Sequence, residues 1–123
     1  MSKPLALLYY SSLMPGSQLG NQLIDLGYRV QQVPDLKGLT EICQQEKPLL
    51  VVAEILAGGP ACSYVARLRK EPTTQHIPVL GYSSAQDPAL AAQARDAGVT
   101  LLAGTAAISE HLTRLLDQVL QVE

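Results

Sequence analysis

Five short apolar runs alternate with five longer amphipathic stretches along the 123 residues, and this alternation restricts the possible folds more than any other feature. The runs LALLYY and PLLVVAEIL are almost wholly apolar, which is typical of strands buried on both faces of a sheet. The predicted strands are residues 5–10, 28–33, 48–56, 77–82 and 99–103. The second of them, YRVQQV, alternates polar and apolar residues and is therefore predicted to lie near an edge of the sheet. Because strands that alternate with helices pair in parallel beneath helical layers, the sequence predicts a three-layer (βα)5 sandwich of the α/β class, with a five-stranded parallel sheet.

The stretches between these runs carry the signals of helix ends. Pro15 and Gly16 are predicted to open the first helix, and Gly27 is predicted to close it. Asp35 and Asp87 are predicted to cap the second and fourth helices, since an aspartate carboxylate accepts hydrogen bonds from the free N–H groups of a first turn. The last stretch has an apolar stripe that predicts one continuous helix. The stripe consists of Ile108, Leu112, Leu115, Leu116 and Val119.

The composition predicts one domain over residues 1–123, located in the cytoplasm and without a membrane span. Hydrophobic residues make up 47% of the chain and charged residues 16%, which is enough apolar content to bury a core. The net charge is -2 and the basic residues are scattered, so nucleic-acid binding is not expected. Cys43 and Cys62 show neither CxxC spacing nor paired histidines, and both are expected to be buried, reduced thiols.

In a parallel α/β sheet, ligands and chemistry lie at the carboxyl ends of the strands. The predicted ends are the segments Tyr9-Tyr10-Ser11, Glu54, Ser83-Ser84 and Gly104-Thr105. The chain has neither of the Gly-rich phosphate loops GxGxxG and GxxxxGK[ST], and no Ser-His-Asp or Cys-His pairing is placed at these ends. We therefore expect no enzymatic activity, no cofactor and no metal.

Three segments in sequence order resemble the receiver domains of bacterial response regulators. LRKEPTTQHIPVLGYSS resembles the approach to the fourth receiver strand, KPLLVVAEILAGGP resembles the third strand, and AQARDAGVTLL resembles the turn into the fifth. The number of elements matches over the whole chain. The resemblance implies a flavodoxin-like, receiver-like fold and a place in two-component signalling.

The resemblance also assigns the positions that carry receiver chemistry, and most of them differ here. The phosphoacceptor Asp falls on Glu54, and the acidic pair that holds Mg²⁺ falls on Tyr9 and Tyr10. The hydroxyl that ends the fourth strand is kept as Ser83, whereas the Lys that ends the fifth falls on Thr105. The aromatic residue of the fifth strand falls on Leu102, which leaves Tyr82 as the nearest alternative. These replacements imply a degenerate pseudo-receiver that cannot be phosphorylated.

Two interpretations remain open for Glu54, and two for the pair Tyr9 and Tyr10. Glu54 either mimics the phosphorylated state, accepting a bond from Ser83, or is a leftover acid at a solvated loop edge. Tyr9 and Tyr10 lie on alternating strand faces, where they either fill the former acidic pocket or line a pocket for a small ligand.

The resemblance implies that the protein binds another protein, such as a kinase, a regulator or an effector subunit, or a second copy of itself. Receivers commonly use the face formed by the fourth helix, fifth strand and fifth helix. The candidate residues on that face are Ala92, Arg95, Leu102, His111 and Arg114. The alternatives are a domain that binds a small ligand and a receiver that is still weakly phosphorylated.

Overall fold

Five parallel strands form a single sheet in the computed structural model, which describes residues 3–10, 13–33, 35–56, 60–83 and 87–121. The strands are β1 (Leu5–Tyr9), β2 (Arg29–Gln32), β3 (Leu50–Glu54), β4 (Val79–Ser83) and β5 (Leu101–Gly104). Their order in the sheet is β2-β1-β3-β4-β5, so the direction of winding reverses between β1 and β3. The five-stranded parallel sheet and the edge position of the second strand confirm the predictions from the sequence.

Helical segments connect the strands and cover both faces of the sheet. They are α1 (Leu13–Asp25), a short 3-10 helix (Leu36–Gly38), α2 (Leu39–Glu46), α3 (Ala61–Lys70), α4 (Pro88–Ala97), α5 (Thr105–Glu110) and α6 (Leu112–Gln121). No helix in the described part of the chain is long and apolar enough to cross a membrane.

The core consists of two buried clusters, one on each face of the sheet, because successive strand residues point in opposite directions. One face packs against α2, α3 and α4 through residues such as Leu7, Val51 and Leu68. The other packs against α1, α5 and α6 through residues such as Leu8 and Leu80. Cys43 is buried in the first cluster, as expected, whereas Cys62 is only half-buried; both are free thiols.

Most of the predicted helix ends are confirmed. The Asp87 carboxylate accepts a hydrogen bond of 2.9 Å from the backbone N–H of Ala89, and Asp35 caps the 3-10 helix before α2. Gly27 has a φ of 99°, which suits a residue without Cβ just after a helix. The first helix begins at Leu13, two residues before the predicted opening at Pro15. Proline is tolerated there because a first-turn N–H has no partner within the helix.

The prediction of one continuous last helix is wrong, because the chain breaks between α5 and α6 at His111. This residue leaves helical geometry with φ -127° and ψ 33°, and its N–H donates to the carbonyl of Ala107. Ile108 and Leu112 are nevertheless both buried on the same core. The apolar spacing is therefore the same on both sides of the break, and the sequence pattern contains no sign of it.

The guanidinium of Arg69, in the last turn of α3, ties that helix to the amino ends of β4 and β5. Nε and Nη2 both donate to the carbonyl of Gly98, at 3.0 and 2.8 Å. Nη1 donates to the carbonyls of Gln75 and Ile77, and Nη2 also reaches Oγ1 of Thr100. All five N–H donors of the side chain are therefore used, and burial lowers the pKa of the group.

Gly98 must stay a glycine for this arrangement to form. A Cβ added to it would lie 2.5 Å from Cγ of Arg69, and its φ of 106° is a conformation that other residues rarely adopt. We refer to these contacts of Arg69 as the Arg69 clamp.

We predict that Arg69→Lys lowers the free energy of unfolding by about 2 kcal/mol, because a lysine cannot satisfy several carbonyls at once and leaves part-buried acceptors unpaired. Urea unfolding followed by circular dichroism measures the change. The control is Arg67→Lys on the same helix, where an exposed cation lies 5.1 Å from the centre of the Tyr64 ring and a lysine keeps the contact. Equal losses in the two variants would show that the clamp does not stabilise the fold.

Candidate functional site

The candidate site lies at the carboxyl ends of β1, β3 and β4, beside the reversal of strand order. Tyr9 is the last residue of β1 and is followed by Tyr10, while Glu54 ends β3 and Ser83 ends β4. Glu54 is paired in register with Tyr82 of β4. Because parallel strands end at the same edge, the fold brings these five positions to one place, as the sequence predicted for four of them.

Glu54 is buried at this edge, with 6% of its surface exposed. The expectation that Glu54, if it is a leftover acid, lies at a solvated loop edge is therefore wrong. Tyr82 is 1% exposed, and this burial raises the pKa of its hydroxyl; the nearby Glu54, Tyr10 and Tyr9 raise it further. We call Tyr82 and the three residues that act on it at this edge the tyrosine–glutamate cluster (Tyr9, Tyr10, Glu54 and Tyr82).

The hydroxyl of Tyr82 is the unsatisfied polar group of this cluster. It is fully buried and has no hydrogen-bond partner in the part of the chain that the structure describes. A buried hydroxyl without a partner costs about 1–3 kcal/mol. Sequence reasoning does not place Tyr82 opposite Glu54, because that neighbourhood depends on the order and register of the strands. The one signal available is a tyrosine within an otherwise apolar strand.

Tyr9 and Tyr10 point to opposite faces of the sheet, as their consecutive positions predicted. Tyr9 packs against the cluster beneath α2, α3 and α4, whereas Tyr10 packs against the cluster beneath α1, α5 and α6. Both rings are half-buried. Two aromatic rings therefore occupy the end of β1, where their hydroxyls are weak ligands compared with carboxylates.

Ser83 lies on the other side of β4 from Tyr82 and is paired with Gly104. It lines a groove of about 440 Å³ between β5 and the start of α4, which we call the α4–β5 groove. The groove is lined by Ser83, Asp87, Pro88, Ala91, Leu102, Ala103 and Gly104. Thr105 follows directly as the first residue of α5 and is half-buried.

Leu102 is partly buried because β4 has a glycine beside it. A Cβ on Gly81 would lie 2.9 Å from Ile55, 3.1 Å from Val99 and 3.3 Å from Leu102. The missing side chain lets these three residues pack directly over the strand. Leu102 therefore packs partly against the core at this point of β5.

The five residues predicted to share an interaction face are divided between different surfaces. Ala92 and Arg95 lie on α4, and Leu102 lies in the α4–β5 groove. His111 and Arg114 instead line a groove of about 600 Å³ together with Gln22 and Asp25 of α1 and with Leu26, which follows that helix. The break at His111 lies in this second groove, which the sequence pattern did not indicate.

The described residues contain no group of three or more His, Cys, Asp or Glu side chains that could hold a metal ion. His76 and His111 are both exposed. Ser11 and Ser84, which the sequence predicts at the same edge, lie outside the described residues.

Comparison with solved structures gives close matches over the whole chain. A response regulator from Chloroflexus aurantiacus matches with a TM-score of 0.85 at 16% identity, covering 99% of this chain and 100% of the other. One from Thermotoga maritima matches with 0.82 at 18% identity, covering 98% and 99%. A chemotaxis protein of Vibrio cholerae matches with 0.83 at 17% identity, covering 96% and 99%.

The fold is that of response-regulator receiver domains. No protein-family profile matches the sequence, and no curated protein sequence matches it either. At these identities the likeness establishes the receiver fold alone. The function has to be argued from the residues at the carboxyl edge.

We predict that Tyr82→Phe raises the free energy of unfolding by about 1 kcal/mol at pH 7, because it removes a buried hydroxyl that has no partner. The gain should grow above about pH 10. There the unfolded chain ionises Tyr82 while the folded chain holds it protonated, so the wild type loses stability as the pH rises and the variant lacks this loss.

Urea unfolding at pH 7, and again above about pH 10, measures the two effects on the free energy of unfolding. Tyr64→Phe is the matched control, since Tyr64 is a half-buried tyrosine on α3 away from the cluster. A destabilising Tyr82→Phe substitution would mean that the hydroxyl has a stabilising partner.

Proposed function

We propose that the chain is a pseudo-receiver: a cytoplasmic protein-interaction module of two-component signalling that is not phosphorylated and has no enzymatic activity. The observation that carries the proposal is the tyrosine–glutamate cluster, which lies at the edge where a receiver would need its acidic pair. The fold is that of a receiver, but this edge carries tyrosines where a receiver would need carboxylates.

Phosphoryl transfer to a carboxylate depends on charge and positioning. Mg²⁺ takes oxygen ligands, usually one or two carboxylates besides those of the substrate. Tyr9 and Tyr10 offer phenols at the end of β1, and phenols stay protonated near neutral pH. Glu54 alone leaves a divalent cation short of negative charge.

The basic residue that would contact the phosphoryl group is also missing. Thr105 follows β5 where receivers have a lysine, and the sequence contains no lysine after Lys70. Without the metal and without this cation, nothing at the edge neutralises the charge that develops on a transferred phosphoryl group. The burial of Glu54 restricts its access to a phosphodonor further.

Glu54 in this proposal has a structural and electrostatic role. Its side chain is one methylene longer than aspartate and lies against Tyr82 in a buried environment. A carboxylate has less charge and fewer acceptor oxygens than a phosphoryl group. If the Glu54 carboxylate mimics a phosphoryl group, the mimic is built into the sequence, and no kinase or phosphatase can add or remove it.

Partner binding is proposed at the α4–β5 groove. Small residues, among them Ala91 and Gly104, line this groove next to the half-buried Leu102. They leave room for a protruding apolar side chain of another protein. Because Leu102 is fixed on Gly81, this surface keeps one shape. We infer constitutive rather than phosphorylation-dependent binding.

The first test adds acetyl phosphate or beryllofluoride, each with Mg²⁺, to ¹⁵N-labelled protein and records amide shifts. We expect no saturable shifts at Glu54, Ser83 or Thr105, because neither the metal nor the phosphoryl group has its ligands. A phosphorylatable receiver treated in parallel shows that the reagents are active. Saturable shifts centred on Glu54 and Ser83 would overturn the proposal.

The second test concerns the groove. We expect Ala91→Arg to reduce recovery of a partner from native lysate about tenfold, because an arginine fills the groove and costs roughly 1.4 kcal/mol of binding free energy. Gln93→Arg is the matched control, since it adds the same charge two residues along α4 and hence on a different side of the helix. Equal recovery with both variants would place the partner surface elsewhere.

A further inference from the structure

A surface cavity lies at the amino ends of the strands, opposite the tyrosine–glutamate cluster. It is a groove of about 830 Å³, which we call the amino-end groove. Its lining runs from Arg29, the first residue of β2, to Thr100, just before β5. Since these are the two edge strands, the groove crosses the whole sheet, a distance of roughly 19 Å for four inter-strand steps of about 4.8 Å.

The charge of this groove is opposite to that of the rest of the protein. Four of the nine Lys and Arg residues line it, against one of the eleven Asp and Glu residues. The four cations are Lys3, Arg29, Lys47 and Arg69, and the acid is Glu46. A concentration of positive charge in a chain of net charge -2 favours a negatively charged ligand.

Side chains rather than backbone groups supply the contacts for such a ligand. Pro4, Pro48 and Pro78 line the groove just before β1, β3 and β4, and proline has no N–H to offer an anion. The donors of Arg69 are already used within the clamp, so this residue contributes charge alone. Recognition therefore falls to the exposed side chains Lys3, Arg29 and Lys47.

The orientation of Arg29 is partly fixed. Its Nε donates 3.1 Å to the carbonyl of Lys3, and its backbone N–H donates 2.8 Å to the carbonyl of Pro4. Lys47 has a left-handed backbone conformation, with φ 50°, at the end of α2. Two of the three exposed cations thus extend from defined backbone positions at the same end of the sheet.

The groove also presents apolar surface beside these cations. Leu49 is 43% exposed and lies between β1 and the start of β3, where its N–H donates to the carbonyl of Leu5. Leu120 and the prolines add to this surface. A ligand with carboxylates alone would leave this apolar surface uncovered. A peptide with acidic and aliphatic residues covers both the cations and the apolar surface.

We propose that the amino-end groove binds an acidic, partly aliphatic segment of a partner protein in an extended conformation. Its carboxylates contact Lys3, Arg29 and Lys47, and its aliphatic side chains cover Leu49 and the neighbouring prolines. A peptide of about six residues in an extended conformation spans the groove. A small metabolite is too short to do so. Because His76 is the one residue of the lining with an aromatic ring on which a base could stack, single-stranded nucleic acid is the poorer occupant.

The test titrates ¹⁵N-labelled protein with the capped hexapeptide Glu-Asp-Glu-Leu-Ile-Leu and, separately, with Gln-Asn-Gln-Leu-Ile-Leu. We expect saturable shifts from the acidic peptide at the amides of Lys3, Arg29, Lys47 and Leu49. The affinity should fall steeply when salt is raised from 0.1 to 1 M, because the Debye length shrinks from about 10 Å to about 3 Å. The neutral peptide should produce no saturable shift.

A matched pair of double variants assigns the binding to the groove. Lys3→Gln with Lys47→Asn should weaken the acidic peptide about tenfold, where asparagine is chosen because it tolerates the left-handed conformation. Lys37→Gln with Lys70→Gln removes the same charge from two exposed lysines outside the groove and should leave the affinity within about twofold.

Four results would overturn the proposal. They are the absence of saturable shifts, equal binding of the neutral peptide, equal weakening by the two double variants, and stronger shifts of the same amides by inorganic phosphate or a single-stranded oligonucleotide. The wild-type salt series and the neutral peptide give an answer even if a variant does not fold. Since Glu54 and the α4–β5 groove are at other parts of the molecule, these results are independent of the proposed loss of phosphorylation.

Discussion

The central strands of the sheet have no face in contact with solvent, and the rest of the molecule follows from this constraint. Every residue of β3 and of β4 is buried, and most of β1 is as well. Such strands cannot offer side chains to a ligand along their length, so recognition is confined to the two ends of the sheet and to the helical surfaces. At the carboxyl end these strands deliver tyrosines and one glutamate. At the amino end, Lys3 and Lys47 come from the segments before β1 and β3, whereas Arg29 begins β2 and Arg69 lies in the last turn of α3.

If the chain is the pseudo-receiver proposed above, the composition of its carboxyl end links lost chemistry to a more stable edge. A group of three carboxylates without a metal repels itself, and the repulsion favours protonation or unfolding. With Tyr9 and Tyr10 in place of two acids, one carboxylate remains, and the two rings add contacts to the cores on both faces. Activity and stability often conflict at such sites. A module that only binds partners has no need to keep a charged, metal-dependent pocket.

The strands, the sheet and the caps at Asp35 and Asp87 could be predicted because apolar runs and capping residues are local signals. The edge position of β2 followed from its alternating pattern. Three features could not be predicted, since each depends on contacts between distant segments. The break at His111 leaves the apolar spacing unchanged, the pairing of Tyr82 with Glu54 depends on register, and the Arg69 clamp joins residues up to 31 positions apart. Of the candidate site, the positions were predictable and the burial of Glu54 was not.

The two ends of the sheet are joined by an interior that has little freedom to rearrange. Ile55, Val99 and Leu102 pack closely over Gly81, where a methyl group on that glycine would lie 2.9 Å from Ile55, too close for the packing to remain unchanged. At the other end, the Arg69 clamp fixes α3 against the starts of β4 and β5. Allosteric coupling needs an element with two arrangements that binding can select between. If the chain is not phosphorylated, as proposed above, no phosphoryl group selects between two arrangements, and we then expect the two ends to bind independently, as in a scaffold rather than a switch.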